Sequence, residues 1–305
     1  MLPAIAVARN DSSTWASERA SNRTQSRHRS GFRTACLLLL WLTPLASQAG
    51  DWRWIGQNGF VYEDNTNHAA RSDQRRHSIA ATQALRTQTT LASHRHHALR
   101  WNLGIGAHQN LRYPDLSRIQ AESGVVLHIQ PGAGFHVPHW SAGVTLRLRE
   151  SGDALRDASE ALVTLRVASQ LTTRVQGALS AGFTSTHAQA DVFSNHRGRI
   201  GASLDWQALA PVIVYLKADW LDGEFTTTVP DTGQPEDDWT LDTAYDVRGE
   251  RAYQRSGSGA AALVGMNWSI TRQCALDLAI RRTALNASDQ TYRNVAALVD
   301  LIYRF

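Results

Sequence analysis

The chain has 305 residues, 43% of them apolar and 19% charged, with a formal net charge of +4 and a mean hydropathy of -0.32. That mixture is too apolar for a disordered chain and too polar for a bundle of membrane-spanning helices. The positive excess lies in residues 1–49, where six arginines face only Asp11 and Glu18, so residues 50–305 are formally neutral and carry no basic footprint for nucleic acid.

The first feature in chain order is a leader. Arginines up to Arg33 precede the apolar run Ala35–Ala46, and Ser47 and Ala49 stand at −3 and −1 of a cleavage point. A basic region, an apolar core of about a dozen residues and small residues before the cut form the pattern of a secretory signal peptide, here cleaved after Ala49. The run is too short to cross a bilayer as a helix. Cys36 lies inside it, which leaves Cys274 as the one cysteine of residues 50–305, so an exported chain must hold itself together without a disulfide.

From Asp51 onward the recurrent signal is alternation with period two. Ile200, Ala202, Leu204 and Trp206 alternate with Arg199, Ser203 and Asp205; Val212, Val214, Leu216, Ala218 and Trp220 alternate with Lys217 and Asp219. Such patterning puts one set of side chains on each face of a strand. It predicts twelve strands, near 52–63, 77–87, 97–108, 117–130, 139–150, 159–170, 174–187, 195–207, 211–225, 250–269, 273–285 and 291–305. Connections alternate between long polar loops and tight turns such as 171–174, 210–211 and 271–272; residues 88–96 and 131–138 break the rule by being long where a tight turn is expected.

Runs of about ten to fourteen residues exceed the usual five or six of soluble sandwiches and match what a tilted strand needs to cross a bilayer. The expected fold is therefore all-β: a transmembrane up-and-down antiparallel β-barrel of about 12 strands over residues 50–305, behind an N-terminal extension and signal peptide over 1–49. An even strand count leaves both ends on the periplasmic side.

The chain closes on RNVAALVDLIYRF, in which Ala297, Val299, Leu301, Tyr303 and Phe305 share one face and Asn294, Asp300, Ile302 and Arg304 the other. In a closed barrel the first set meets lipid and the second the lumen. This ending resembles bacterial outer-membrane β-barrel proteins, whose final strand typically ends in Phe behind apolar or aromatic residues at every second position. The resemblance implies that Val299, Leu301, Tyr303 and Phe305 form the signal read by the barrel-assembly machinery, with outer-membrane lipid and lipopolysaccharide as surroundings. The stretch GFVYEDNTNHAARSDQRRHS at 59–78 is similar to the first hairpin of uncharacterised porin-like barrels of Gram-negative bacteria.

Chemistry in a barrel belongs to its inward residues. Alternation assigns Arg53, Arg100, Arg118, Arg147, Arg149, Arg166, Arg199, Lys217, Arg281 and Arg304 to the lumen, against Glu122, Glu160, Asp205, Asp219, Asp277 and Asp300. The expected pore lining is Arg100, Arg147, Arg149, Arg166, Arg199, Lys217, Asp219, Asp277 and Arg281, with Arg147, Arg166, Arg199, Lys217 and Arg281 at mid-height. Rings of Arg and Lys favour anions. The same charges could instead pair across strands and brace a narrow, closed wall.

Three readings therefore stand: a porin-like barrel passing small, anionic solutes; a non-conducting structural or export-associated barrel; and a lipid hydrolase built on Ser194 and His196. His94, His96, His97, His136 and His139 fall in two neighbouring turns, but without cysteine or paired carboxylates they call for no metal, and no cofactor is expected. The acidic loop 226–249, with Asp231, Glu236, Asp237, Asp238, Asp242 and Asp246, lacks calcium-loop spacing.

Overall fold

The computed structural model describes residues 52–230, 239–245, 250–287 and 290–305. The leader and most of the acidic loop, including Asp231, Glu236, Asp237, Asp238 and Asp246, lie outside the described residues. The strands are β1 (Arg53–Glu63), β2 (Ser78–His94), β3 (His97–Asn110), β4 (Arg118–Ile129), β5 (His139–Ser151), β6 (Ala158–Thr172), β7 (Val175–Ala188), β8 (Asn195–Leu209), β9 (Val212–Pro230), β10 (Trp239–Leu241), β11 (Glu250–Ser269), β12 (Cys274–Ala287) and β13 (Gln290–Arg304).

Each of β1 to β8 pairs antiparallel with the next, β9 pairs with β11, β11 with β12 and β12 with β13, and β13 returns to β1 from Ile55↔Arg304 to Glu63↔Ala296. Twelve strands thus close an up-and-down barrel, with the three-residue β10 added against the upper part of β11 at Trp239↔Tyr253. Closure removes every long sheet edge, which is why the backbone can be satisfied without water around it.

All twelve expected strands form, and two boundaries differ informatively. The strand expected at 77–87 runs on to His94 across a bulge between Thr90 and Ala92, so the anomalous 88–96 connection becomes a two-residue turn. The strand expected to end at 225 reaches Pro230 and projects beyond the barrel with β11. The connection 130–138 stays long.

The outer surface explains why alternation survives. Leu146, Leu148, Val163, Leu165, Leu179, Ile200, Leu216 and Val264 are all exposed on the outward face. A contiguous apolar belt of this kind is not tolerated in water and is what lipid requires. At the end where β1 begins and β13 finishes, Trp54, Trp101, Trp140, Trp206, Trp268, Tyr303 and Phe305 form a girdle. Register places Trp206 beside Val175, Trp268 beside Val212 and Tyr303 beside Cys274, each at the start of a strand. Tyr303 meets Phe305 edge to face at 4.8 Å, and the Phe305 amide donates to the Trp54 carbonyl, tying the last residue to the first strand. Phe60, Tyr62, Phe183 and Trp220 rim the other end of the belt.

The buried core lies above that rim, at the loop end, not in the wall. Loop 64–77 crosses the mouth: Asn67 and Thr228 of β9 exchange two hydrogen bonds of 2.7 and 2.8 Å, although β11, β12 and β13 separate β1 from β9 in the barrel. Asn65 and Asn67 are 0% and 2% exposed. Asn65 donates to the carbonyls of Ala69 and Arg293 and accepts the Ala69 amide; Asn67 donates also to Gln74 and accepts the Arg76 amide. Buried amides satisfied on both sides replace the water that a loop backbone otherwise needs.

Ion pairs fasten the same roof. Arg76 donates to the fully buried Glu250 at 2.6 Å, while Arg156 reaches Asp242 at 2.5 Å and lies over the Phe193 ring. Asp242 also accepts from the Thr228 hydroxyl, and the Tyr245 hydroxyl donates to the Thr66 carbonyl. Three of the supporting loops repeat one design: 3-10 turns Pro114–Leu116, Ala154–Arg156 and Asp191–Phe193 are followed by Ser117, Asp157 and Ser194. The side chains of those three residues accept the amides of Asn110, Ser151 and Ala188, capping β3, β5 and β7.

Candidate functional site

Cross-strand partners share a face, so the register carries the inward set around the barrel. From Arg86 it passes to Gly104, Glu122, Arg147, Glu160 and Thr186, and from Arg166 to Ser180 and Gly201. On the far side Asp219, Ala261 and Thr283 continue it, and Asp277 stands opposite Asp300, which stands opposite Gly59.

Beneath the roof this inward face encloses a cavity of about 630 Å³. Its wall carries six arginines, Arg86, Arg118, Arg149, Arg156, Arg197 and Arg281, against two carboxylates, Glu63 and Asp300. Asn67, His68, Thr228 and Tyr245 of the roof line it from above. The charges are unevenly distributed. Strands β2 to β6 contribute Arg86, Arg100, Arg118, Arg147, Arg149 and Arg166 against Glu122 and Glu160, whereas Asp205, Asp219, Asp277 and Asp300 all lie on β8 to β13.

The residues expected to line a pore divide into two groups. Arg147 is clamped between Glu122 at 2.9 Å and Glu160 at 2.6 Å, Lys217 sits 3.1 Å and Arg199 3.8 Å from Asp219, and Arg281 is 3.3 Å from Glu63. Asp277 accepts from the Tyr215 hydroxyl at 2.7 Å and from Asn267 at 3.1 Å. These braces restrain the wall. Arg100, Arg149 and Arg166 make no ion pair among the described residues, and neither does Arg118.

Several inward groups were not singled out from sequence. Arg86, which pairs with Glu122 and touches Gln57, sits in a run of Thr and Gln where the alternation is faint. Arg197 shares the parity of Arg199 and was readable from it. Tyr215 and Asn267 became visible only through Asp277. Inward glycines are a further device: a Cβ on Gly59 would collide with the Asp300 carboxylate, and one on Gly201 with that of Asp219. Each glycine gives its cross-strand neighbour room to lie flat on the wall.

The histidines do not converge as two adjacent turns suggested. His94 and His97 stack within 5.3 Å, His139 instead meets His128 at 3.2 Å between ring nitrogens, and His136 contacts the Gln170 carbonyl. The Ser194 hydroxyl accepts the Ala188 amide as a turn cap, while His196 stacks on Phe183. In the roof, burial lowers the His68 imidazole below its usual value, opposed by the Glu63 carboxylate and by the contact of Nδ1 with the Thr226 carbonyl. Burial raises the Asp153 carboxyl above the ordinary range, against the Leu155 amide and Arg156.

No protein-family model matches the chain, and no curated protein matches its sequence. Solved structures do match its fold. An outer membrane channel from Pseudomonas putida F1 superposes with a TM-score of 0.54 at 12% identity, over 84% of this chain and 99% of that one. The KdgM porin in complex with disordered oligogalacturonate reaches 0.44 at 10% identity over 83% and 99%, and the outer membrane phospholipase of Salmonella typhi 0.46 at 10% over 82% and 90%. The last two, a porin and an enzyme at equal and low likeness, carry no argument. Closure by twelve strands, the exposed apolar belt with its aromatic girdle and the Pseudomonas channel agree on one architecture: a closed twelve-stranded antiparallel β-barrel, similar in fold to a bacterial outer-membrane channel.

Proposed function

We propose that the barrel lies in the outer membrane of a Gram-negative bacterium, terminus end toward the periplasm, and passes small anionic solutes. The observation that carries this reading is the arginine excess of the roofed cavity, above all Arg118 and Arg149, which line it without an ion pair among the described residues. Unpaired guanidinium groups in a confined lumen attract carboxylates and bind them in bidentate fashion. In planar bilayers the purified protein is expected to show discrete conductance steps with anion preference, weakened by Arg118→Gln with Arg149→Gln and by Arg166→Gln with Arg199→Gln. Silent bilayers would remove the passage and leave the fold.

The roof favours a second reading, a non-conducting barrel that serves an assembly or export partner, because two buried asparagines and two ion pairs hold loops across the mouth. A partner that co-purifies with a barrel silent in bilayers would support it. Under either reading residues 1–49 are a leader cleaved after Ala49, so a mature mass beginning at any residue other than Gly50 contradicts that assignment. Val299, Leu301, Tyr303 and Phe305 act as the assembly signal. Phe305→Ala should lower the yield of folded, heat-modifiable barrel, and an unchanged yield would discard the role.

A further inference from the structure

The arginine wall has a counterpart that anion passage leaves unexplained. Asp277 and Asp300 stand directly opposite each other on β12 and β13, both inward. Like charges at directly opposed positions destabilise a sheet unless something lies between them. Asp277 is a satisfied carboxylate, held by Tyr215 and Asn267. Asp300 is not: it is 7% exposed, its Oδ1 is buried without any hydrogen-bond partner, and it lines the cavity. Burying a carboxylate oxygen unpaired is costly, and Gly59 leaves the space that lets it lie there.

No cation pairs with Asp300 among the described residues, and two that lie on the same side of the barrel are committed elsewhere. Lys217 sits on Asp219 and Arg281 on Glu63. Asp300 therefore lacks a counter-charge while its own cavity presents Arg118 of β4 and Arg149 of β5 without an ion pair among the described residues. We propose that Asp300, with Asp277 beside it, is a station for the ammonium group of the solute, so that the transported class carries a primary ammonium together with a carboxylate. This rests on the passage reading and sharpens it. An ammonium supplies three donors to the free lone pairs of two carboxylates and cancels their repulsion. The solute's anionic end is then left to the guanidinium groups, and its length must bridge the two walls.

Calorimetric titration of the full mature protein in detergent tests the station without requiring transport. The probes are 4-aminobutyrate and butyrate, which differ by the ammonium alone. 4-Aminobutyrate should bind at least tenfold more tightly, and Asp300→Asn should erase the difference without weakening butyrate binding or lowering the thermal midpoint. Asp277→Asn should weaken the preference and keep part of it. Equal binding of the two probes to the native protein overturns the inference. A preference that survives Asp300→Asn overturns it as well. Failure of passage is read separately, as absent uptake of either probe into liposomes beside an intact calorimetric preference.

Discussion

The roof and the wall of this barrel are stabilised by opposite means. The wall buries almost nothing: its outward side chains meet lipid, its inward ones meet a lumen, and its order comes from backbone pairing around a closed circle. The roof is packed like the core of a small soluble domain, with Phe225, Leu285, Ala287 and Tyr292 in one cluster and Tyr113, Ala244 and Tyr245 in another. The amide groups of Asn65 and Asn67 are satisfied one by one. A barrel wall tolerates substitution wherever parity is respected, whereas a roof of this kind depends on single side chains that no neighbour can replace.

Asn67→Ala should break that comparison most sharply. It strands the Thr228 and Gln74 carbonyls and the Arg76 amide inside the roof, at a cost of about 2 to 4 kcal/mol for buried groups left unpaired. The expected result is rapid tryptic cleavage at the exposed Arg71 while the barrel keeps its heat-modifiable migration. Loss of that migration would mean that roof and wall fold as one unit. A smaller effect is expected in the wall from Arg147→Gln, which leaves Glu122 paired only with Arg86 and releases Glu160. Reversal potentials should then shift toward cations and the thermal midpoint should fall slightly; a lowered midpoint with unchanged reversal potentials would make Arg147 a structural brace and nothing more.

The same contrast explains how much could be read in advance. Period two is a local rule, so the runs around Trp206, Val212–Trp220 and Leu276–Ile280 disclosed the twelve strands, and parity put Asp300 and Arg149 inside. It failed where the rule is interrupted: a bulge at Thr90 and Ala92 resets the phase of β2 amid Thr and Gln, hiding its last seven residues. The roof was invisible because its bonds join residues 161 and 228 positions apart, and Asn65 and Asn67 look like any polar loop. The missing partner of Asp300 was equally hidden, since it depends on a glycine opposite it in a strand 241 positions earlier in the chain.

The finest distinction between the two regions is their response to acid. His68 is a roof residue whose neutral form the fold prefers: burial outweighs the attraction of Glu63 and the hydrogen bond that Nδ1 donates to the Thr226 carbonyl, and Arg197 and Arg281 further oppose a positive charge. Its folded-state value lies below the ordinary 6.5, so the unfolded loop binds the proton more readily than the folded one. The stability it contributes is present above pH 6.5 and fades as pH falls through that value toward the folded one. Amide exchange of residues 64–77, corrected for the intrinsic pH dependence, should therefore quicken at pH 5.5 relative to pH 7.5, while exchange in the Leu276–Ile280 stretch of β12, a strand without histidine, stays level. His68→Asn accepts the left-handed backbone at this position, where φ is 50°, and cannot titrate, so it should flatten the difference. If the acid response persists in that variant, the sensor lies among the carboxylates of the roof, where Asp153 is the other group displaced from its ordinary range.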